Sequence, residues 1–360
     1  MTHAPLALAS ALSLALVAAT ELAAPRRPPV GRTVGHLAGC AAPTVGGAGA
    51  IDLPAASTGR LLVANQQSAS ATIVELATAQ VHQIPLPGAH PHGAAISPDG
   101  RWGVVADYGR LVGPQLDGRR LFVIDMATRK VVRTIDTGEF QAVHDLAFRP
   151  GSSTRVLVTA QRYQHVIEVD IALGKVVASA STKGESSHRL ALSPDGSHLF
   201  TSNEEELHVS RLTTAPLAFD AHIPLPGRPL GLAVTPDGRE LWVGVRGAIH
   251  VANAATGAHV ATIPGPAIPD DVVIGADGKT AAIAGGDEVH VVDVAARRIV
   301  GSIATGRAPR VRIAPDGRVA FVGLGRANAI AVVDLARRCV LTSYPAGRWP
   351  DAVSWGPATP

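Results

Sequence analysis

The chain has 360 residues, of which 46% are hydrophobic and 17% charged, and its formal net charge is +3 at pH 7. The Lys and Arg residues are scattered, without a basic run or interleaved aromatic residues, which argues against a nucleic-acid partner. The 37 Gly and 27 Pro residues favour a fold with many turns around a large apolar core.

The N-terminus is typical of an exported protein. Residues 5–24 are apolar and include a small-residue stretch that ends at Ala19, which predicts a signal peptide over residues 1–19. An uncleaved anchor helix is the alternative, although Glu21 interrupts a segment that is already short for a membrane span. We therefore expect a secreted or periplasmic protein with no membrane span.

Residues 20–48 are predicted to form an N-terminal extension that carries Cys40, one of only two cysteines. The residues Leu37 to Cys40 match the sequence pattern of a lipoprotein cleavage box. Such a box should directly follow the apolar stretch, but residues 25–36, with three Arg and three Pro, lie between them. We interpret this match as chance. An even cysteine count in an exported chain favours a disulfide between Cys40 and Cys339, and two buried free thiols are the alternative.

A repeat of roughly 40 residues runs through residues 49–360, which we interpret as one domain. Its most regular element is a Pro-Asp-Gly turn, in which Pro presets the first corner and Asp-Gly tolerates the positive φ of a tight hairpin. The turns are Ser97–Gly100, Ser193–Gly196, Thr235–Gly238, Gly275–Gly278 and Ala314–Gly317.

The strand that follows each turn gives the count of repeats. Alternating β-branched residues bounded by Asp, Gly and Pro indicate strands, and no window after the signal segment has a helical period. Seven such second strands are predicted: Leu61–Asn65, Gly103–Asp107, Arg155–Ala160, Leu199–Asn203, Leu241–Val245, Thr280–Ala284 and Val319–Gly323. The sequence therefore predicts an all-β, seven-bladed β-propeller with four-stranded antiparallel blades.

The first strand of each repeat is found only six times before the seventh repeat ends, starting near Gly93, Asp145, Arg189, Gly231, Asp271 and Arg310. Residues 350–355 follow Gly347 as the other first strands follow their glycine. We therefore predict that the C-terminal strand completes the first blade and closes the ring, which removes the free sheet edges. A rival closure would use Gly49–Leu53 instead.

These motifs, from about Leu61 to Trp355, resemble the YVTN-type propeller repeats of surface-layer and YncE-like exported proteins. The resemblance implies the propeller fold and says little about activity, because propellers host unrelated functions.

The loops that lead into the first strands contain the candidate metal-binding residues. At one equivalent position the blades carry, in ring order, Asp351, His92, His144, His188, Leu230, Asp270 and Pro309. Three neighbouring imidazoles on rigid strand starts suit a transition metal, with copper favoured in an oxidising compartment and zinc, iron or nickel as alternatives. We predict a metal site of His92, His144, His188 and Asp351, in which Asp351 is a fourth ligand or orients a histidine.

Several other residues are candidates at the same end of the channel. His90 lies further out but could add a nitrogen, and Glu204 in Glu204-Glu205-Glu206 could be a general base, although three acids are typical of a solvated turn. The long loop after Asp107 could cover the channel mouth. The candidate ligand contacts are Tyr108, Arg110, Arg189 and Arg310. Tyr108 and Arg189 are the predicted catalytic residues. The positive charge of the arginines favours an anionic ligand.

A second histidine set, His208, His250 and His290, is predicted to occupy one position on three third strands, where packing or solvent contact is the expected role. This second set shows that duplication of a repeat can by itself place histidines at equivalent positions, which weakens the argument from the first set. The function predicted is a His-lined metal site for a small-molecule ligand in a monomer, with metal-dependent oxidoreductase or lyase/isomerase chemistry on a small metabolite. The alternative is a non-catalytic binding or scaffold propeller with structural histidines.

Overall fold

The structure is a computed structural model that describes residues 58–109, 111–112, 115–116 and 118–358. Within these residues it contains seven four-stranded antiparallel sheets, one two-stranded hairpin and a single 3-10 turn at Gln161–Tyr163. The predicted signal peptide, the extension with Cys40 and Gly49–Leu53 lie outside the described residues. The first two stay predictions, whereas the rival closure by Gly49–Leu53 is wrong, because Pro350–Gly356 pairs with Arg60–Asn65 in that place.

The first four blades, each given from its inner to its outer strand, are described first. Blade 1 is β30 (Pro350–Gly356), β1 (Arg60–Asn65), β2 (Ser70–Glu75) and β3 (Gln80–Pro85). Blade 2 is β4 (Pro91–Ile96), β5 (Trp102–Asp107), β8 (Arg120–Asp125) and β9 (Lys130–Asp136). Blade 3 is β10 (Val143–Phe148), β11 (Arg155–Ala160), β12 (His165–Asp170) and β13 (Lys175–Ser181). Blade 4 is β14 (Ser187–Leu192), β15 (His198–Asn203), β16 (His208–Thr214) and β17 (Leu217–Pro224).

The remaining three blades follow the same order. Blade 5 is β18 (Leu232–Val234), β19 (Glu240–Val245), β20 (Ala248–Asn253) and β21 (His259–Pro264). Blade 6 is β22 (Asp271–Ile274), β23 (Thr280–Gly285), β24 (Glu288–Asp293) and β25 (Arg298–Ala304). Blade 7 is β26 (Arg310–Ile313), β27 (Val319–Leu324), β28 (Ala329–Asp334) and β29 (Cys339–Pro345).

The predicted count of blades is confirmed, and the seven second strands differ from their predicted bounds by at most one residue. The ring closes as predicted, because β30 pairs antiparallel with β1, with Leu61 opposite Trp355. In this arrangement the last strand of the chain occupies the innermost place of the first blade. Closure of this kind leaves the ring without an open first blade.

The core lies between neighbouring blades. One cluster joins Val104 of blade 2 to Val156 of blade 3, and another joins Val291 of blade 6 to Val322 of blade 7. The second strands are almost wholly buried, whereas the outer strands alternate between partly buried and exposed residues. Burial on both faces explains why the second strands read as continuous apolar runs, and it holds the inner strands in a fixed ring.

The long loop after Asp107 contains a short hairpin, β6 (Leu111–Val112) paired with β7 (Gln115–Leu116). Arg110 lies outside the described residues, so its contact with a ligand and the covering role of the loop stay predictions. No helix among the described residues is long and apolar enough to cross a membrane.

Candidate functional site

Four of the seven inner strands begin with a backbone irregularity, and each one carries a predicted metal ligand. In β4, Pro91 lies opposite Asp107 but Ala94 lies opposite Val105, so one extra residue is inserted around His92. The same shift occurs around His144 in β10, His188 in β14 and Asp351 in β30. Bulges of this kind turn a side chain out of the regular ladder and are common beside functional sites.

The other three inner strands have no register shift in their pairing with the second strand. Their equivalent residues, Leu230, Asp270 and Pro309, precede the strands. The bulges are therefore confined to one side of the ring, blades 1 to 4. Because of them, the inner strands of blades 2 to 4 start two residues earlier than predicted.

Gly93, directly after His92, allows blades 2 and 3 to approach closely at this end. A Cβ at residue 93 would overlap the carbonyl oxygen of His144 and press on the side chain of Leu146. Only glycine fits such a contact without moving a strand. The absence of a side chain at residue 93 thus sets the short separation between the histidine-bearing strand starts.

The three predicted histidines form one continuous stack. The ring centroids of His92 and His144 are 4.7 Å apart, and those of His144 and His188 are 3.9 Å apart. The Tyr108 ring packs against the same stack, 4.5 Å from His92 and 5.0 Å from His144. His90 is the outermost member, at 5.6 Å from His92. The structure therefore brings together the histidines and the tyrosine that the sequence placed at the mouth; we call this set, with Asp351, the mouth layer.

Each end of the stack meets a carboxylate. Asp351 Oδ2 lies 3.1 Å from His92 Nδ1, and Glu204 Oε1 accepts a hydrogen bond from His188 Nδ1. The side-chain nitrogen of Gln66 lies 2.5 Å from His92 Nε2. The expectation of a solvated turn for the three glutamates is wrong for Glu204, because it is turned inward to His188, whereas Glu205 pairs with Arg228 at the surface.

Burial sets the charge of this cluster. His144 is only 2% exposed, and burial together with the neighbouring His188 and His92 lowers its pKa well below the usual value. Burial also lowers the pKa of His188, against the opposing effect of Glu204. Both imidazoles are therefore neutral at pH 7, which is the form that binds a metal.

The two carboxyl groups respond in the opposite way. Burial alone would raise the pKa of Asp351, but His92 and Arg189 outweigh it and the pKa is lowered. The pKa of Glu204 is likewise lowered by His188 and Arg189 against burial. Burial and the charge of Glu204 raise the pKa of Tyr108 to about 12, so its phenol stays protonated and can donate a hydrogen bond.

The Nδ1 atoms of His92 and His188 face Asp351 and Glu204, whereas the Nδ1 atom of His144 is buried and makes no hydrogen bond. Buried polar atoms without a partner are uncommon and call for an explanation. In the described part of the chain, however, no group of three or more His, Cys, Asp or Glu side chains is arranged as it stands to hold a metal ion. The physical reason is the stacking, in which the rings lie beside one another at about 42° rather than pointing at one centre.

Arg189, the second predicted catalytic residue, is 8% exposed and follows His188 directly. Its positive charge helps to lower the pKa of Asp351, and it partly offsets the rise in pKa that burial causes at Asp145 and Asp270. Its NH1 is buried without a hydrogen bond. Arg189 is therefore a buried cation whose charge acts on the acids of the channel and on the histidines of the mouth layer.

The second histidine set does not converge. Strand register places His250 opposite Val243 and His290 opposite Ile283, but Ser210, not His208, is opposite the equivalent residue Thr201. The alignment of His208 with the other two was therefore wrong by two residues. Each member has a partner on its own blade: His208 stacks on His222, His250 on His259, and His290 faces Glu288.

Two contributors to the site were missed in part or in full: Glu204 was a candidate general base only, and Gln66 was not predicted. Both directly follow a second strand, as Tyr108 does, and the equivalent residue of blade 3 is Gln161. Aligning the repeats on the end of the second strand, as well as on the Pro-Asp-Gly turn, would have revealed four polar residues at one position.

Among solved structures, the chain is similar to a chain of hydrazine synthase from Kuenenia stuttgartiensis, with a TM-score of 0.67 and 17% sequence identity. The match covers 81% of this chain and 98% of that chain. At this identity the likeness shows the fold alone, and together with the seven closed sheets it defines the class: a seven-bladed β-propeller. No family model and no curated protein matches the chain, so the resemblance to YVTN-type repeats stays a prediction.

Proposed function

We propose that this propeller is an exported protein that binds a transition metal, copper by preference, at the mouth of its channel. The ligands are His92, His144 and His188, with Asp351 as a fourth ligand or as the group that orients His92. One observation carries the proposal: four bulged strand starts on neighbouring blades direct three imidazoles and a carboxylate to one place.

The chemistry of the donor set supports a metal. Neutral imidazoles are the commonest ligands of copper and zinc, and the buried Nδ1 atom of His144 has no hydrogen-bond partner. Loading requires the imidazoles to turn about their side-chain torsions, because they are stacked in the structure. Glu204 and Gln66 are placed to orient His188 and His92, as carboxylates and amides commonly do for ligating histidines.

The activity that we assign to such a site is metal-dependent oxidoreductase chemistry, or lyase or isomerase chemistry, on a small metabolite. Tyr108 would donate a proton or hydrogen bond to the substrate, and Arg189 would hold an anionic group of it. A bound metal would supply Lewis acidity or electron transfer. The Tyr108 ring packs against His92 and His144, and the charge of Arg189 acts on His144 and His188, which supports these roles.

The alternative, a non-catalytic binding or scaffold propeller, is favoured by a specific observation. The stacked histidines already meet carboxylates at both ends, and no group among the described residues is arranged to hold a metal as it stands. In that case the stack joins blades 1 to 4 and the histidines are structural.

Elemental analysis separates the two. Untagged protein is incubated with copper or with zinc, passed through a desalting column, and its metal content is measured. We expect about one metal per chain, with copper displacing zinc, and loss of the metal in a His92→Ala, His144→Ala double variant. The matched control is His250→Ala, His290→Ala, which removes two histidines of the second set and should keep the metal. Wild-type protein at background level would establish the structural alternative.

A further inference from the structure

Below the mouth layer, the inner strands of all seven blades line a cavity of about 450 Å³ along the channel. Strand pairing identifies one ring of seven equivalent positions in its wall, because each of these residues lies opposite the third residue of its second strand. They are Ala95, Ala147, Ala191, Ala233, Val273, Arg312 and Ser354. All seven line the cavity, whose volume is in the range of small-molecule sites.

Arg312 is the only long side chain in this ring. The other six blades carry Ala, Val or Ser at the same position, so packing of the ring does not require an arginine there. The side chain of Arg312 is exposed, although the seven inner strands surround it. Its guanidinium group forms no hydrogen bond or ion pair with any residue that the structure describes. Arg312 is therefore a cation that faces the solvent of an enclosed channel.

A second arginine, Arg310, precedes it on the same face of β26. Residues two apart on a strand point to the same side and are roughly 7 Å apart, and Arg310 lines the same cavity. The side chain of Arg310 is 9% exposed, and its Nη2 lies 3.8 Å from Asp145 Oδ1. Neither Nε nor Nη2 of Arg310 makes a hydrogen bond. Two guanidinium groups with open N–H donors therefore lie along one wall of the channel.

The two acids of the cavity neutralise these cations only in part. Asp271 accepts a hydrogen bond at 3.1 Å from the N–H of Val311, the residue between the two arginines. Burial raises the pKa of Asp271 to about 7, although Arg189 and Arg312 oppose the rise. Burial also raises the pKa of Asp145. Both acids are therefore harder to ionise than acids at the surface, and they leave this wall with an excess of positive charge.

Enclosure also acts on Arg312 itself. It lowers the pKa of the guanidinium group, and Asp271 offsets this effect only in part. An arginine nevertheless stays charged in proteins, so the free-energy cost of enclosing the charge remains until an anion joins it. Channel walls of low dielectric constant strengthen the attraction between the two. A small anion is therefore the ligand that fits this wall.

We propose that the channel binds a small divalent oxyanion at Arg312, with Arg310 as the second cation. The planar fork of an arginine matches two oxygens of an oxyanion with parallel hydrogen bonds. Two cations on one wall favour two negative charges over one. The small side chains at the same level of the other six blades leave room for the anion beside Arg312. The site lies below the mouth layer and does not depend on a metal there.

The test uses full-length protein treated with a chelator, so that it is independent of the metal proposal. Calorimetry at constant ionic strength measures the binding of sulfate, with perchlorate as the monovalent anion of the same tetrahedral shape. We expect saturable sulfate binding that is about 10-fold or more tighter than that of perchlorate, because two enclosed cations attract the second negative charge. Absence of saturable sulfate binding overturns the proposal, and equal affinity for the two anions overturns the preference for a divalent one.

Variants locate the site. Arg312→Ala gives blade 7 the residue that blades 2 to 5 carry at this position, so the fold should tolerate the change. We expect it to weaken sulfate binding by about 10-fold or more, and Arg310→Gln to weaken it by a smaller factor. Arg312→Lys keeps the charge without the fork and should bind with intermediate affinity. The matched control is Arg318→Ala, an exposed residue in the turn of the same blade, which should bind as the wild type does. Wild-type affinity in Arg312→Ala overturns the assignment of the site.

Discussion

His144 and His188 of the mouth layer are each followed along their strand by a charged residue, Asp145 and Arg189. Asp271 and Arg310 occupy the same position in blades 6 and 7, and we call these four residues the charged layer. Burial shifts the pKa of the histidines and the pKa of the acids in opposite directions. In the mouth layer it lowers the pKa of His144 and His188 and keeps bases neutral. In the charged layer it raises the pKa of Asp145, and it raises that of Asp271 to about 7, which favours neutral acids. Both effects have one cause, because an enclosed channel disfavours charge of either sign.

The comparison shows which residues make the stability of the folded protein depend on pH. A histidine that is neutral when folded must gain a proton on unfolding in acid, so stability falls below its unfolded pKa. An acid that is neutral when folded must lose its proton on unfolding or as the pH rises, so stability falls toward alkaline pH. The two layers should therefore limit stability at opposite ends of the pH range.

The largest effect is expected for Asp271→Asn. The folded pKa of Asp271 is about 7, above its ordinary value of 3.8, because of burial, and Arg189 and Arg312 only partly offset this. Its contribution to stability is present below pH 4 and is lost as the pH rises through 7. An amide cannot ionise, so the stability of the variant relative to wild type should rise from pH 5 to pH 8 by on the order of 1–3 kcal/mol.

Urea unfolding at the two pH values measures this change. The control is Asp277→Asn, an exposed acid in the turn of the same blade, whose effect should be equal at both pH values. If the effect of Asp271→Asn on stability were also equal at both pH values, Asp271 would be ionised in the folded protein throughout this range.

A smaller effect of opposite sign is expected for His144→Leu. Wild type should lose stability between pH 7.5 and pH 5, because His144 binds a proton in the unfolded chain and resists it when folded. The variant lacks this histidine, so its loss over the same interval should be smaller by on the order of 1 kcal/mol, whatever its absolute stability. Unfolding curves of His259→Leu, an exposed histidine on β21, should follow the pH dependence of wild type. Parallel curves for His144→Leu and wild type would contradict the burial of a neutral His144.

The smallest effect tests whether the histidines of the stack act on one another. His188→Asn removes a ring 3.9 Å from His144, so the pKa of His144 should rise, as followed by the imidazole resonances in NMR. His250→Asn, in the second histidine set, should leave the pKa of His290 unchanged, because each depends on burial and on a neighbour of its own blade. An unchanged His144 in the first variant would mean that the stack is not electrostatically coupled.

Much of the fold was accessible from the sequence, and for a local reason. The Pro-Asp-Gly turns and the alternation of β-branched residues are encoded within each repeat, so seven second strands could be placed to within one residue. The C-terminal closing strand followed from counting, since the first blade was short of one strand and residues 350–355 had the pattern of that strand. The charges of the mouth residues were not accessible, because they depend on enclosure by other blades.

The sequence by itself determined the repeat, the ring closure and the repeat position shared by His92, His144, His188 and Asp351. Only the tertiary structure decided what these residues meet. The bulges that turn them from the ladder and the inward turn of Glu204 to His188 arise from contacts within a blade, and the close approach at Gly93 and the stacking of the histidines arise from contacts between blades. Repeat alignment compares residues within equivalent blades, whereas the site is formed across blade boundaries, and for this reason its position could be predicted but its stacked geometry could not.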